Sequence, residues 1–413
     1  MMLTAAASPF AFAALCLGFS SVAIAQSPAM FEPPAGQVYH GAFPVSQNST
    51  NPGDYWLDPV TFENLAGKHL AIVLWYADWS RNFSNSVGNV ITQYLKPEGR
   101  VIEVGWIPSQ ASLDDIINGA LDNYLEKWFA DARNLGEPIF LRFASEMNGD
   151  WVNYGGWQNG GSVSTELGWQ ATEKYKAAWR HVHDIARQMR ACNVAFVWAP
   201  NYNSVPSPNV NWPQYAWNDW RNYYPGDDYV DWVGIDLYDY WGENPQGQIR
   251  PFYQEYAPRK PIILAETAGH DDPAVNANKA RYISQLFNAM ESEFPCIKAF
   301  VWFNYHQSGY NWRMEETTAS LTNYQNRVAS SRYIATVTTN APNASLRLAM
   351  KRDGDSLTLK WPECPCTRLE RTVSLTPPVN WTMVTNGISS VSGQKSLTLI
   401  PQGVTAFFRL VVE

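Results

Sequence analysis

Eight short apolar runs, separated by segments patterned as helices, constrain this chain more than any other feature. They are VYHGAF (38–43), LAIVLWY (70–76), VIEVGWI (101–107), PIFLRFA (138–144), NVAFVWA (193–199), DWVGIDLY (231–238), PIILAET (261–267) and IKAFVWF (297–303). A half-solvated strand alternates apolar and polar residues, whereas near-continuous Val, Ile and Phe mark parallel strands covered on both faces. Between the runs, residues 113–129 set Ile116, Ile117, Ala120, Leu121, Tyr124, Leu125 and Trp128 on one helical stripe. Residues 173–189 and 279–294 repeat that pattern. Eight strand–helix units in this length predict a closed (β/α)8 TIM barrel, an α/β fold. An open doubly wound sheet is the rival, but no glycine-rich phosphate turn follows any of the runs.

The texture changes after Arg332. A polar, turn-rich stretch, TVTTNAPNASL (336–346), leads into short alternating runs at 356–361, 371–375, 381–385, 396–400 and 406–412. Short strands at this spacing predict a small β-sandwich over 336–413 behind a barrel over 26–335. Residues 1–25 read as a signal peptide. The apolar run from Phe10 to Phe19 is too short to span a bilayer, and Ala23-Ile24-Ala25 is a small-residue cleavage pattern. Export is the expectation. It would leave Cys192, Cys296, Cys364 and Cys366, with three pairings open.

Net charge is −8 with the two signs interspersed, so neither nucleic acid nor an anionic membrane is an expected partner. The expected state is a monomer with no metal and no other cofactor. Nineteen tryptophans and 21 tyrosines supply flat rings of the kind that stack on sugar C–H faces.

Residues at the carboxyl ends of barrel strands face the active site. Glu146 lies just past the fourth run and Glu266 at the end of the seventh. Strand alternation puts Arg142, Ala144 and Glu146 in one phase, and likewise Leu264 with Glu266, Asp236 with Tyr238, and Phe300 with Trp302 and Asn304. Two carboxylates facing across a barrel mouth, with Tyr238 and Trp302 between them, are the equipment of glycoside hydrolysis. One carboxyl must deliver a proton and the other must attack as an anion, and closeness separates their pKa values. Glu103 and Asp236 also lie in strand runs, where a buried carboxylate needs a partner, and Arg142 is that partner for one of them. His40, near the end of the first run, is a candidate sugar contact.

RFASEMNGDW (142–151) resembles the acid/base motif of glycoside hydrolase family 26, matching at Glu146, Met147, Asn148, Gly149 and Trp151. KPIILAETAG (260–269) is similar to that family's nucleophile strand. Further matches lie in NVAFVWAPN (193–201), YYPGDDYVDWVGIDLYDYWG (223–242) and VWFN (301–304). The resemblance implies a retaining barrel enzyme with Glu146 as general acid/base and Glu266 as nucleophile. It also implies that Tyr238 hydrogen-bonds the nucleophile, that Trp302 floors the cleavage subsite and that Trp151 and Trp198 flank the cleft. Asn148, Arg142, His40 and Asp236 complete the expected substrate-binding set. Ser145 departs from the pattern, which has histidine there, and so leaves the sugar preference open. The expected activity is endo-hydrolysis of β-mannan or of mixed-linkage β-1,3/1,4-glucan. A catalytically idle carbohydrate-binding protein on the same barrel is the alternative.

Overall fold

The computed structural model describes residues 29–47, 55–307, 309–338, 348–354, 356–362, 367–376, 379–391, 394–400 and 406–412. The expected leader and the pair Cys364 and Cys366 lie outside them. Cys192 is disulfide-bonded and Cys296 is a free, half-buried thiol, so no bridge joins those two.

Eight parallel strands close into a barrel, matching the eight apolar runs. They are β1 (Val38–Gln47), β2 (Ile72–Asp78), β3 (Val101–Ile107), β4 (Ile139–Phe143), β5 (Val194–Trp198), β6 (Trp232–Asp239), β7 (Ile262–Gly269) and β8 (Ile297–Asn304). Each pairs with its successor, and β8 returns to β1 from Tyr39↔Ala299 to Pro44↔Asn304. Strands β4 to β7 are buried along their whole length, which explains why their sequences do not alternate. Each large apolar side chain fully buried in such a wall contributes about 1.5–3 kcal/mol.

The helical layer is less regular than eight identical units. Six of the eight connections carry α-helices: α1 (Pro59–Ala66), α2 (Leu113–Ile117) with α3 (Asp122–Leu135), α4 (Thr165–Gln188), α5 (Pro245–Tyr256), α6 (Lys279–Ser292) and α7 (Thr318–Val328). The segment after β2 instead forms two π-turns, Ser84–Gly88 and Ile91–Leu95, and the one after β5 forms 3-10 turns. The single stripe expected over 113–129 is two helices, because Gly119 at φ +77° breaks the first. Helix α4 starts earlier than its stripe suggested, at Ser164, whose side chain accepts the Leu167 N–H and satisfies an otherwise orphaned donor.

Beyond the barrel, a four-stranded sheet holds β9 (Ala349–Asp353), β10 (Ser356–Pro362), β13 (Ile388–Val391) and β14 (Gln394–Leu399). A three-stranded one holds β11 (Thr367–Thr372), β12 (Thr382–Met383) and β15 (Phe407–Val412). Leu359, Trp361 and Leu397 from the first meet Leu369 from the second in one small core. Strands β9 and β13 escaped the sequence reading. The described side chains of β9 are all exposed, so no apolar face marks it.

Candidate active site

Glu146 reaches the barrel mouth through a turn, not through continued pleating. Strand β4 ends at Phe143, and both Ala144 (φ +46°) and Glu146 (φ +55°) adopt left-handed backbone. Such conformations cost about 1–3 kcal/mol each in non-glycine residues and persist only where neighbours enforce them. Here Glu146 N–H donates to Ala199 O at 2.8 Å. The Tyr175 and Tyr154 hydroxyls donate to the carbonyls of Ala144 and Ser145, both at 2.9 Å. The half-buried Glu146 carboxylate then accepts Trp151 Nε1–H at 2.9 Å and Asn201 Nδ2–H at 2.6 Å.

Glu266 arrives by a different device. Strand β7 is in register with β6 at Ile235↔Leu264 and again at Asp236↔Glu266, so Ala265 is an extra residue, a β-bulge. The bulge breaks the expected phase. Leu264 pairs with Phe300 on the side facing the helices, while Glu266 turns inward beside Asp236. Without it, alternation would have turned the carboxylate away from the mouth.

Three donors converge on Glu266. Tyr238 OH donates to Oε2 at 2.5 Å, and Tyr76 OH and Arg142 Nη2 both donate to Oε1. Arg142 is fully buried and its Nη1 also donates to Asp236 Oδ2 at 2.7 Å, while Nε stands 3.6 Å from Glu103 Oε1. Gly105 makes room for this arrangement. A Cβ there would fall 2.5 Å from the Tyr76 ring and 3.3 Å from Arg142 Nη2. One guanidinium thus serves three carboxyl groups, and burial pushes the Glu103 carboxyl up to about 8. Burial, then the charge of Glu266, also raises the Glu146 carboxyl above the usual range. The site therefore presents a carboxyl that holds its proton more tightly than usual near one that accepts three hydrogen bonds.

The family model for glycosyl hydrolase family 26 matches residues 106–311, which contain both glutamates and β4 to β8. The barrel belongs to glycoside hydrolase family 26. Endoglucanase H of Acetivibrio thermocellus is 29% identical over 286 residues, covering 65% of this chain and 29% of that one. The β-1,3-xylanase TXYA of a Vibrio species is 24% identical over 243 residues, 53% of this chain and 46% of its own. Mannan endo-1,4-β-mannosidase A and B of Caldalkalibacillus mannanilyticus is 25% identical over 183 residues, 44% of this chain and 31% of its own. The chain thus spans less than half the length of these relatives. Among solved structures, an endo-β-1,4-mannanase double mutant from Cellulomonas fimi superposes at TM-score 0.52 with 15% identity, covering 93% of this chain and 95% of that one. GH26C from Muricauda sp. superposes at 0.53 with 16% identity, covering 72% and 87%. These two likenesses establish the shared fold.

Within this family 26 barrel, several expected sugar contacts prove to be interior. Trp302 shares its phase with Phe300, which packs on Phe287 of α6, and its own ring packs on Tyr324 of α7 at 5.5 Å. Trp302 is therefore no floor for a sugar; Phe303 is the inward neighbour, packed on Phe43 and Tyr238. Trp198 points outward as well, against Tyr224 and Tyr256. His40 is buried between the His69 carbonyl and the Tyr324 hydroxyl, and burial lowers its imidazole to about 4, so it stays neutral and away from substrate. Asn148 is also buried, tying the loop after β4 to Asn201 and Ser204. Arg142 and Asp236 have no exposed surface and so are not substrate contacts. Trp151, half exposed, and Tyr238 remain beside the carboxylates.

Three residues at the site were not singled out in the sequence. Tyr76 ends the second apolar run, level with Gly105, and its position at a strand end was the available signal. Asn201 closes the NVAFVWAPN run. Tyr240 packs its ring on Tyr238 at 5.7 Å, and burial, then the charges of Glu146 and Glu266, raise its phenol.

Proposed function

We propose that this protein is an exported retaining endo-β-glycanase acting on β-1,4-mannan or mixed-linkage β-1,3/1,4-glucan. One observation carries the reading. Two glutamates 120 positions apart meet at the carboxyl ends of β4 and β7, one with its pKa raised by burial and by the other's charge, the other gripped by Arg142, Tyr76 and Tyr238. Glu146 delivers its proton to the glycosidic oxygen as Glu266 attacks the anomeric carbon, which releases the leaving chain and forms a glycosyl ester. Glu146, now ionised, takes a proton from water, and that water displaces Glu266 with a second inversion. Tyr238 and Arg142 keep Glu266 aimed throughout, and Trp151 and Asn201 do the same for Glu146. The names of the relatives, an endoglucanase, a mannosidase and a β-1,3-xylanase, support a β-linked glycan as substrate.

The test is release of reducing ends from mannan, lichenan, β-1,3-xylan and cellulose, with the anomer of the first product followed by NMR. Activity on one of these glycans with retained configuration, abolished in Glu266→Ala, is the expected result. Inverted product, or no cleavage of any of them, would sink the proposal.

A further inference from the structure

The two oxygens of the Glu266 carboxylate are not equivalent. Oε1 accepts from two groups, Arg142 Nη2 and Tyr76 OH, while Oε2 accepts only from Tyr238 OH at 2.5 Å. A carboxylate oxygen has two lone-pair sites, so both sites of Oε1 are taken and one on Oε2 stays free. Tyr76 reaches Oε1 from the end of β2, a strand that does not pair with β7. Its ring is fixed on two sides. Phe43 packs edge-on at 5.3 Å, and Gly105 leaves a space in which a Cβ would fall 2.5 Å from the ring. The direction of its hydroxyl is fixed as well. Arg142 Nη2 donates to the Tyr76 oxygen at 3.3 Å, and a guanidinium cannot accept, so the phenolic proton is left for Oε1. Burial, then the charge of Glu266, holds that phenol well above its ordinary range and keeps the proton on Tyr76.

We infer that Tyr76 is a catalytic residue for the second half of the reaction. Oε2 attacks the anomeric carbon, Oε1 becomes the ester carbonyl, and the Tyr76 hydroxyl draws charge back onto Oε1 as the ester breaks. The inference rests on the retaining glycanase reading and deepens it. In the first step the bond from Oε2 to the anomeric carbon forms, the glycosidic bond breaks, and the Glu146 proton leaves with the departing oxygen. Negative charge drains from the carboxylate, so a donor on Oε1 serves the resting enzyme better than that transition state. In the second step water adds to the anomeric carbon and gives a proton to Glu146, and the electron pair of the broken ester bond returns to the carboxylate. The same donor now strengthens on the way to the transition state, which is the condition for raising a rate. Arg142 acts on Oε1 too, but it also carries Asp236, whereas the Tyr76 hydroxyl can be deleted with its ring left in place.

The test compares the full chain with Tyr76→Phe. The substrate is the dinitrophenyl β-disaccharide of whichever glycan the parent cleaves among mannan, lichenan, β-1,3-xylan and cellulose. Its leaving group departs without protonation, so the second step limits turnover. Rates are referred to active sites titrated with the matching 2-fluoro glycoside, so a partly folded sample does not imitate a loss. In Tyr76→Phe, kcat is expected to fall about tenfold and KM to fall with it, leaving kcat/KM, which reports the first step, within about twofold of the parent. Rapid-quench mixing should show a burst of dinitrophenol equal to the enzyme before a slow phase, and intact mass should show the glycosyl adduct building up. An unchanged kcat overturns the assignment, as does a fall in kcat/KM with KM unchanged and no burst. A parent that cleaves none of the four glycans refutes the glycanase reading itself and takes the inference with it, so the two failures are distinguishable.

Discussion

Asn201 donates its Nδ2–H to Glu146 Oε1 at 2.6 Å, from the loop after β5 to the turn after β4. The contact joins two barrel units at the atom that must gain and lose a proton in each cycle. Its partner on the other oxygen, Trp151, is half exposed, so Asn201 is the sheltered half of the grip.

Hydrogen bonds to the ionised form favour that form, so Asn201→Ala removes a stabiliser of the Glu146 carboxylate. The proton-bearing form is needed for the first step and is lost as pH rises through the Glu146 pKa, already raised by burial and by Glu266. The alkaline limb of the kcat/KM profile is therefore expected to move upward in Asn201→Ala, with a rate loss of about tenfold at the optimum, in line with the worth of a hydrogen bond to a charged group. A limb that stays in place would separate Asn201 from the acid.

Glu146→Ala is expected to discriminate by leaving group. A good leaving group departs without protonation, so an aryl glycoside bearing one should still be cleaved while polysaccharide hydrolysis falls by about 100-fold or more. Steady-state rates on the two substrates check it. Equal loss on both would assign the residue another role.

Arg142 joins Asp236, Glu266 and Glu103 with no exposed surface on the guanidinium. Removing the cation strands buried carboxylates, a change typically worth about 3–5 kcal/mol. Arg142→Met is expected to lower the denaturant midpoint and to abolish activity. Arg142→Lys should recover some stability but little rate, because an ammonium cannot serve Asp236 and Glu266 from one fixed fork. Equilibrium unfolding with activity on the same samples decides this.

The barrel was legible because parallel strands buried on both faces announce themselves as apolar runs, and the family 26 motifs around Glu146 and Glu266 supported the same reading. What alternation misjudged were residues next to irregular backbone. Regular alternation gives Leu264 and Glu266 one phase, but the bulge at Ala265 separates them. Trp302 sits on a regular stretch of β8, where its ring and motif suggest a sugar floor; its outward phase follows from Phe300, which faces the helices. His40 and Asn148 have polar side chains that read as ligand contacts, yet both spend their hydrogen bonds inside the protein. A sequence records which atoms can bond, and only packing decides with what.

The most quantitative consequence concerns Glu103. Both its oxygens lack hydrogen-bond partners among the described residues, and burial raises its carboxyl from 4.5 to about 8. The folded protein then holds a proton that the unfolded chain has released. Between those two pH values the native state binds more protons, so stability falls as pH rises, with the full penalty present above about pH 8. At 1.36 kcal/mol per unit the penalty is on the order of 5 kcal/mol. Glu103→Gln keeps the size and the neutral charge but cannot ionise, so it is expected to match the parent near pH 4.5 and to exceed it progressively toward pH 8. Urea unfolding of both proteins at pH 5 and pH 8 measures the difference directly. Parallel stability curves would mean that Glu103 is ionised in the fold beside Arg142.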